Sequence, residues 1–310
     1  MEFTSSNQLK AFMKKESQRL NMSIPNIYHT YVARKVLERI SKANNNKLLV
    51  KGSSAETAYL GALVRGITDV DLAGVRDFNI NKDFLQGILL NNNPNEFVNF
   101  RLNKCPYRTP TGIEKLSCSA IFNMERKTKD NEVVQEHLIQ DISIDVQDEY
   151  NRLIEPQKRV MPEIFEGDEP FEILVPSFEE YLAEKLCIIV ESNKEDVLNT
   201  RLKDFYDIYQ LHGGRYDYEK LTHYFGLMLT LRNKIDPKKA NTTHLDQTFI
   251  REHKKLWDCA SIKYDFLDKE IDLEGATYYT RGVLREQLQK QGINMPSNKF
   301  LSYQKKKSLK

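Results

Sequence analysis

Cysteines spaced for cross-linking are missing from this chain. Its four cysteines, Cys105, Cys118, Cys187 and Cys259, form no C-x-x-C pair, which argues against a disulfide framework and against a zinc knuckle. They are read as reduced and buried. The six histidines, His29, His137, His212, His223, His244 and His253, are equally dispersed, with no ligand pair at helical or loop spacing, so each is read as structural. An excess of one charge is also lacking. With a net charge of +2, no global field advertises nucleic acid or membrane, and any basic surface must be local. Long apolar runs are absent: nothing approaches the roughly 18 residues of a membrane span. Met1 to Lys15 carries no apolar core of a signal peptide. These absences predict a soluble, cytoplasmic protein with no membrane partner. No repeat of about 20 to 50 residues is visible either.

What is present is enough chain for roughly two domains. Apolar residues at three- and four-residue spacing predict helices over Leu9 to Leu20 and Ile27 to Ile40. A short strand over Leu48 to Val50, a turn at Gly52, a helix over Ala55 to Val64 and a strand over Thr68 to Val75 follow. Further strands are expected at Phe97 to Leu102, Leu116 to Asn123, Asp141 to Gln147 and Phe171 to Val175, with "PYRTPTG" and "ERKTKDNE" as polar connections. After Pro176 the pattern is helical: Phe178 to Val190, Leu202 to Leu211, Tyr218 to Leu231, His244 to Tyr264 and Tyr278 to Gln291. The expected organisation is therefore an α+β fold, with a mixed-sheet domain over 1–175 and a mostly helical domain over 176–310. The tail holds Lys299, Lys305, Lys306, Lys307 and Lys310 without an acid, and is read as mobile and solvated.

The stretch "KGSSAETAYLGALVRGITDVDL" carries the chemistry. On a strand, Asp69 and Asp71 project from one face while Val70 and Leu72 point into the core. Two carboxylates so placed repel and raise one another's pKa unless a cation sits between them, which makes sense around a divalent metal, magnesium first and manganese as an alternative. "DISIDVQ" places Asp141, Ser143 and Asp145 on one face, and if the two strands are neighbours Asp145 supplies a third carboxylate. Three carboxylates at a sheet end can hold two metals, the clamp used in phosphoryl chemistry. At Gly52 a phosphate can approach the main chain. Ser53 and Ser54 offer hydroxyls and N–H groups at the start of a helix, where anions are favoured. A plain N-cap turn and a solvated strand edge are the alternatives for each motif taken alone.

Gly52-Ser53, then Asp69-Val70-Asp71 and a later strand acid, resemble the DNA polymerase β-type nucleotidyltransferase superfamily. Within it, "LLVKGSSAETAYLGALVRGITDVDL", "VPSFEEYLAEKLCIIV" and "RLKDFYDIYQL" resemble, in order, the AbiEii/AbiGii (MenT-like) toxin family over about 45–215. Two departures are visible: Ser53 stands where the family commonly has glycine, and Ile67 where it often has a hydroxyl residue, so no role for that hydroxyl is carried over.

The resemblance implies a nucleotidyltransferase-like sheet domain with flanking helices, closed by the helical domain. It also implies a toxin that transfers NMP from a nucleoside triphosphate to RNA, at the 3′ end of tRNA, so blocking translation. An antitoxin encoded alongside is the expected partner. Lys185 falls in an apolar stripe with Phe178, Leu182 and Ile189, where it must snorkel, pair or meet an anion; the resemblance implies that it grips the triphosphate. Asp204 matches the family's K-D-x-x-D acid and is expected to orient Lys185 or the water of the metal site. Lys203 is placed among the nucleotide-binding residues, with an exposed i, i+4 pair to Asp207 as the alternative. The catalytic set is thus Asp69, Asp71, Asp145, Lys185 and Asp204, and the nucleotide set Gly52, Ser53, Ser54, Lys185 and Lys203. The cluster Arg251-Glu252-His253-Lys254-Lys255 beside Trp257, and the lysine tail, either track RNA phosphates or are plain surface. A small-molecule nucleotidyltransferase and an inactive nucleotide-binding protein are the competing readings.

Overall fold

The computed structural model describes residues 3, 5–43, 47–75, 78, 80–90, 97–103, 107–108, 114–127, 132–147, 155–192, 201–231 and 242–293. Two helices open the chain, α1 (Ser6–Leu20) and α2 (Ile24–Lys42). Ser5 caps the first by accepting from the Gln8 N–H, and Asn21 ends it in the left-handed conformation. Then come β1 (Leu48–Val50), α3 (Gly52–Leu60), β2 (Asp69–Gly74), α4 (Lys82–Leu89), β3 (Val98–Leu102) and β4 (Tyr107–Arg108). The long strands β5 (Glu114–Lys127) and β6 (Val133–Gln147) follow, and β7 (Gln157–Met161) and β8 (Phe171–Val175) complete the strands. After Val175 the described residues form helices: α5 (Phe178–Ser192), α6 (Leu202–Gln210), α7 (Tyr218–Leu231), α8 (Gln247–Lys263) and α9 (Leu273–Lys290). This is the expected α+β class.

The main sheet runs β1-β2-β6-β5-β3, with β4 on the same edge of β5, while β7 and β8 form a separate pair. Only the β2–β6 pairing is parallel within these ladders; the rest are antiparallel. Period-two alternation puts Val70, Leu72, Ile142, Ile144 and Val146 into the core, where α2 packs against β2 and β6. One contiguous apolar cluster extends from Phe3 to Leu288, so the sheet-bearing and helical parts share a core.

Several elements differ from expectation for identifiable reasons. The helix α3 stops at Leu60 because Gly61 adopts φ 65°, leaving Ala62 to Val64 in a loop. The helix α9 begins at Leu273, earlier than the apolar spacing indicated, since Asp272 caps it by accepting from the Gly275 N–H at 2.7 Å. The elements α4, β4 and β7 were not anticipated; β7 is mostly exposed and lacks apolar alternation. Cys118 and Cys187 are buried thiols as expected, whereas Cys259 is exposed on the outer face of α8, a correction to the reading of all four as buried. Cys105 and the basic tail lie outside the described residues. No helix among the described residues is long and apolar enough to cross a membrane.

The turn after α8 fastens the two ends of the chain together. Asp265, in the left-handed region at φ 47°, accepts from the Ser23 N–H at 2.8 Å, the Ser23 hydroxyl at 2.7 Å and the Asn26 amide at 2.9 Å. Beside it, Gly66 N–H donates to the Tyr264 carbonyl and Leu267 N–H to the Val64 carbonyl, both at 2.9 Å. Asp265→Ala strands those donors and burdens a left-handed position, so a loss of about 2–3 kcal/mol is expected in urea unfolding. Asp265→Asn, which keeps an acceptor and tolerates the backbone, should lose less than half of that.

Candidate functional site

The parallel pairing of β2 with β6 brings together acids 74 positions apart in register: Asp71 stands opposite Asp145, and Asp69 opposite Ser143. Side chains at paired positions share a face, so Asp69, Asp71 and Asp145 all leave the sheet on the side away from α2. The Asp145 carboxylate accepts from the Ser143 hydroxyl at 2.8 Å through one oxygen and from Lys115 Nζ at 2.6 Å through the other. Lys115 is the strand neighbour of Asp145 on β5. Burial, followed by the charge of Asp69, pushes the Asp71 carboxyl up to about 7.

Behind these acids lies the Gly-Ser turn. The backbone returns from β2 to β1 through a bond from the Lys51 N–H to the Asp71 carbonyl at 2.8 Å. Gly52 then takes φ 58°, and a Cβ there would lie 1.8 Å from Asp71 Oδ2. Glycine is required on both counts, left-handed backbone and close approach. The Ser53 and Ser54 hydroxyls, in the first turn of α3, are buried without a hydrogen-bond partner among the described residues. Tyr181 from α5 donates to the Gly52 carbonyl at 2.9 Å, tying the helical part to the turn. Lys51 is held by Gln147 at 2.9 Å and by Glu184 at 2.8 Å.

A second group of charges is sunk beneath. Arg65 grips Asp207 with two bonds, Nε at 2.6 Å and a terminal nitrogen at 2.9 Å, the bidentate geometry of a strong pair. Lys185 Nζ donates to Asp207 at 2.6 Å and to Asp204 at 3.1 Å. Burial alone would raise the Asp207 carboxyl, but the Arg65 and Lys185 charges outweigh it and hold the group well below the usual carboxylate range. Burial likewise opposes the charged form of Lys185, and Asp207 reverses the sign, holding its pKa well above normal. Glu56 is fully buried on α3 beside Asp207; burial and then the Asp207 charge push its carboxyl well above its ordinary value.

A pocket of about 410 Å³ is lined by Gly52, Ser53, Asp69, Asp71, Asp145, Lys185, Lys203 and Asp204, all expected from sequence. Lys51, Arg65, Lys115, Gln147, Tyr181, Glu184 and Arg201 line it too and were not singled out. Lys115 lies one residue before the strand expected from sequence, and the pairing of Arg65 with Asp207 spans 142 positions, beyond any local rule. Ser54 is not among the lining residues and is buried behind the turn. The exposed Lys203–Asp207 pair does not form: Asp207 faces Arg65 and Lys185, while Lys203 lies over the Tyr264 ring, 5.1 Å from its centroid. Trp257 is buried against Tyr206 and Phe266, so the neighbouring basic cluster presents no exposed tryptophan.

The donor set suits a divalent cation, because half-buried Asp71 is destabilised as an anion by desolvation and by Asp69, and the glycine cradle keeps its oxygen open to the turn. Among the described residues, no three Asp, Glu, His or Cys side chains already stand as a closed metal cage.

This α+β fold, with strand acids at one end of a mixed sheet, belongs to the nucleotidyltransferase class. More narrowly, the chain is a member of the family described as nucleotidyl transferase AbiEii toxin of type IV toxin–antitoxin systems, whose model matches residues 120–282, just over half of its length. The matched segment contains Asp145, Lys185, Asp204 and Asp207; the Gly52 turn and the Asp69/Asp71 pair precede it. Among solved structures, the chain is similar to an antigenic nucleotidyltransferase-like protein from Paracoccidioides brasiliensis, with 15% identity, a TM-score of 0.35, and coverage of 67% of this chain and 88% of that one. No curated protein matches the chain.

Glu56 gives a stability test with a defined sign. Its folded-state pKa is raised, so its burial costs nothing below the unfolded value near 4.3; the cost grows as pH rises from there toward the folded value. Glu56→Gln, which can donate to Asp207 with no proton to lose, should raise Tm at pH 7.5. The expected scale is about 2–4 °C for each kcal/mol of cost removed. The gain should vanish when the melt is repeated near pH 4.

Proposed function

We propose that this chain transfers a nucleoside monophosphate from a nucleoside triphosphate to an RNA acceptor, the 3′ end of tRNA in the first instance, and so blocks translation. The observation that carries the proposal is convergence: motif residues from four separate segments, Gly52-Ser53, Asp69/Asp71, Asp145 and Lys185/Lys203/Asp204, line one pocket. Family membership supports nucleotidyl transfer and an antitoxin partner.

Asp69, Asp71 and Asp145 would hold Mg²⁺, with Mn²⁺ as an alternative. When bound, the ion supplies positive charge against the triphosphate and an acidified acceptor hydroxyl. The chain's own residues do the rest. The N–H groups opening α3, unobstructed by a side chain at Gly52, receive the β- and γ-phosphate oxygens. Lys185 has three ammonium donors, of which Asp204 and Asp207 take two. The third serves the phosphates. Lys203, half-buried on an aromatic base and without an ion pair among the described residues, is the second phosphate contact. The acceptor oxygen attacks the α-phosphorus in line, its proton passes to Asp145, and the bond to the bridging oxygen breaks to release pyrophosphate.

The pocket lining favours a polyanionic acceptor over a polycationic antibiotic. It contains six basic and five acidic side chains. Three of the acids are assigned to the cation, which leaves a positive surround for the acceptor.

Purified protein incubated with each α-labelled nucleotide, Mg²⁺ and total RNA should place the label in tRNA, with unlabelled pyrophosphate released. Asp71→Asn should lower incorporation by about 10³-fold or more, and chelation of the metal should abolish it. Lys203→Ala should raise the nucleotide KM by about tenfold with a smaller change in kcat. Label in an aminoglycoside but in no RNA would transfer the site to the small-molecule reading.

A further inference from the structure

Both oxygens of Asp145 are taken. Ser143 donates to one at 2.8 Å, and the ammonium of Lys115 to the other at 2.6 Å. The second of these is a charged group reaching across from β5, where Lys115 is the register partner of Asp145. The row continues through Asp71 on β2, again in register, so Lys115 ends a line of lysine, aspartate, aspartate across three strands. Its side chain is 46% exposed, against 13% for that of Asp145. The acid is fixed and the lysine is free to swing into solvent.

We infer that Lys115 is a positioning residue and a built-in competitor for the divalent cation: it holds Asp145 until the cation displaces it. The inference rests on the functional reading above, in which Asp145 is a metal ligand. The physical reason is that a divalent ion repels an ammonium docked on the carboxylate oxygen it would ligate, so cation binding opposes the 2.6 Å pair. Once released, the ammonium stands at the pocket rim, where an incoming phosphate is its natural partner. Nucleotide and cation therefore help each other to bind, because the phosphates draw off the group that opposes the cation. Removing the lysine removes this coupling.

The test is Mn²⁺ binding to the full chain, followed by the electron-spin-resonance signal of the free ion, with and without a non-hydrolysable nucleoside triphosphate. Without nucleotide, Lys115→Met should bind Mn²⁺ about two- to fivefold tighter than the wild type, the scale set by a half-exposed ion pair. Nucleotide should tighten Mn²⁺ binding more in the wild type than in Lys115→Met. Lys115→Arg should behave like the wild type. In an Asp145→Asn background, Lys115→Met should bring no gain, since the competition acts through that carboxylate. Equal or weaker Mn²⁺ binding by Lys115→Met than by a wild type that does bind the ion overturns the inference and leaves the metal reading intact. Absence of Mn²⁺ binding in both proteins, at any nucleotide concentration, overturns both.

Discussion

The pocket stands on one buried carboxylate. Asp207 receives a bidentate guanidinium from the loop before β2 and an ammonium from α5 while it sits on α6. Three segments thus meet at a single pair of oxygens. Removing that group would leave two buried cations facing one another, a loss of about 3–5 kcal/mol for a broken buried pair. The interaction also has a geometric consequence. Arg65 lies four residues before Asp69, so anchoring it fixes where β2 starts, and therefore which residues stand opposite Asp145. The same loop is fastened from outside by backbone bonds to the turn at 264–267 and by the Tyr206 hydroxyl, which donates to the Val64 carbonyl at 2.9 Å. A loop of seven residues between Gly61 and Asp69 with these anchors has little freedom to slip. A one-residue slip would turn both β2 acids toward the core.

Glu56 shows how the anchor shapes its surroundings. Burial, and then the negative charge of Asp207, oppose ionisation of its carboxyl. The cluster thus contains two cations, Arg65 and Lys185, paired with Asp204 and Asp207, and a carboxyl alongside whose pKa is raised. Charge balance of this kind allows a positive group to be kept at low solvent exposure without a large desolvation penalty. Lys185 consequently stands ready at the pocket wall rather than having to be drawn in from solvent when an anion arrives.

Local periodicity made part of this legible. Alternation assigned Asp69 and Asp71 to one face and Val70 and Leu72 to the other, and it did the same for Asp145 against Ile144 and Val146; the burial of these residues agrees. Helical spacing placed Lys185 in a buried stripe. Neither rule speaks about partners distant in the chain. That β2 and β6 are neighbours was a condition in the sequence reading, and the parallel ladder meets it. The role of Asp207 was invisible because the i, i+4 rule offered Lys203 as a local partner, while Arg65, 142 positions away, holds it in the folded chain. Lys115 was passed over for a similar reason: an exposed lysine at the start of a strand looks like any other until its register with Asp145 is known. Helix ends were misplaced where one side chain or one glycine decides them, as at Gly61 and Asp272.

A near-neutral chain and the polyanionic substrates proposed for it are reconciled once the pairing is considered. Lys51 is held by Glu184 and Gln147, Arg65 by Asp207, Lys185 by Asp204 and Asp207, and Lys115 by Asp145. Most cations of the pocket are thus balanced internally by the protein's own acids, so the free chain carries no large basic field to attract unrelated nucleic acid. A nucleotide need not find unpaired cations; it needs groups with a donor to spare, or groups whose partner has been taken by a metal ion. On the proposed reading, selectivity would come from the coincidence of cation and phosphate at one place rather than from net charge. Composition averages over these pairs, whereas the arrangement of the same residues on β2, β5, β6, α5 and α6 gathers them into one pocket.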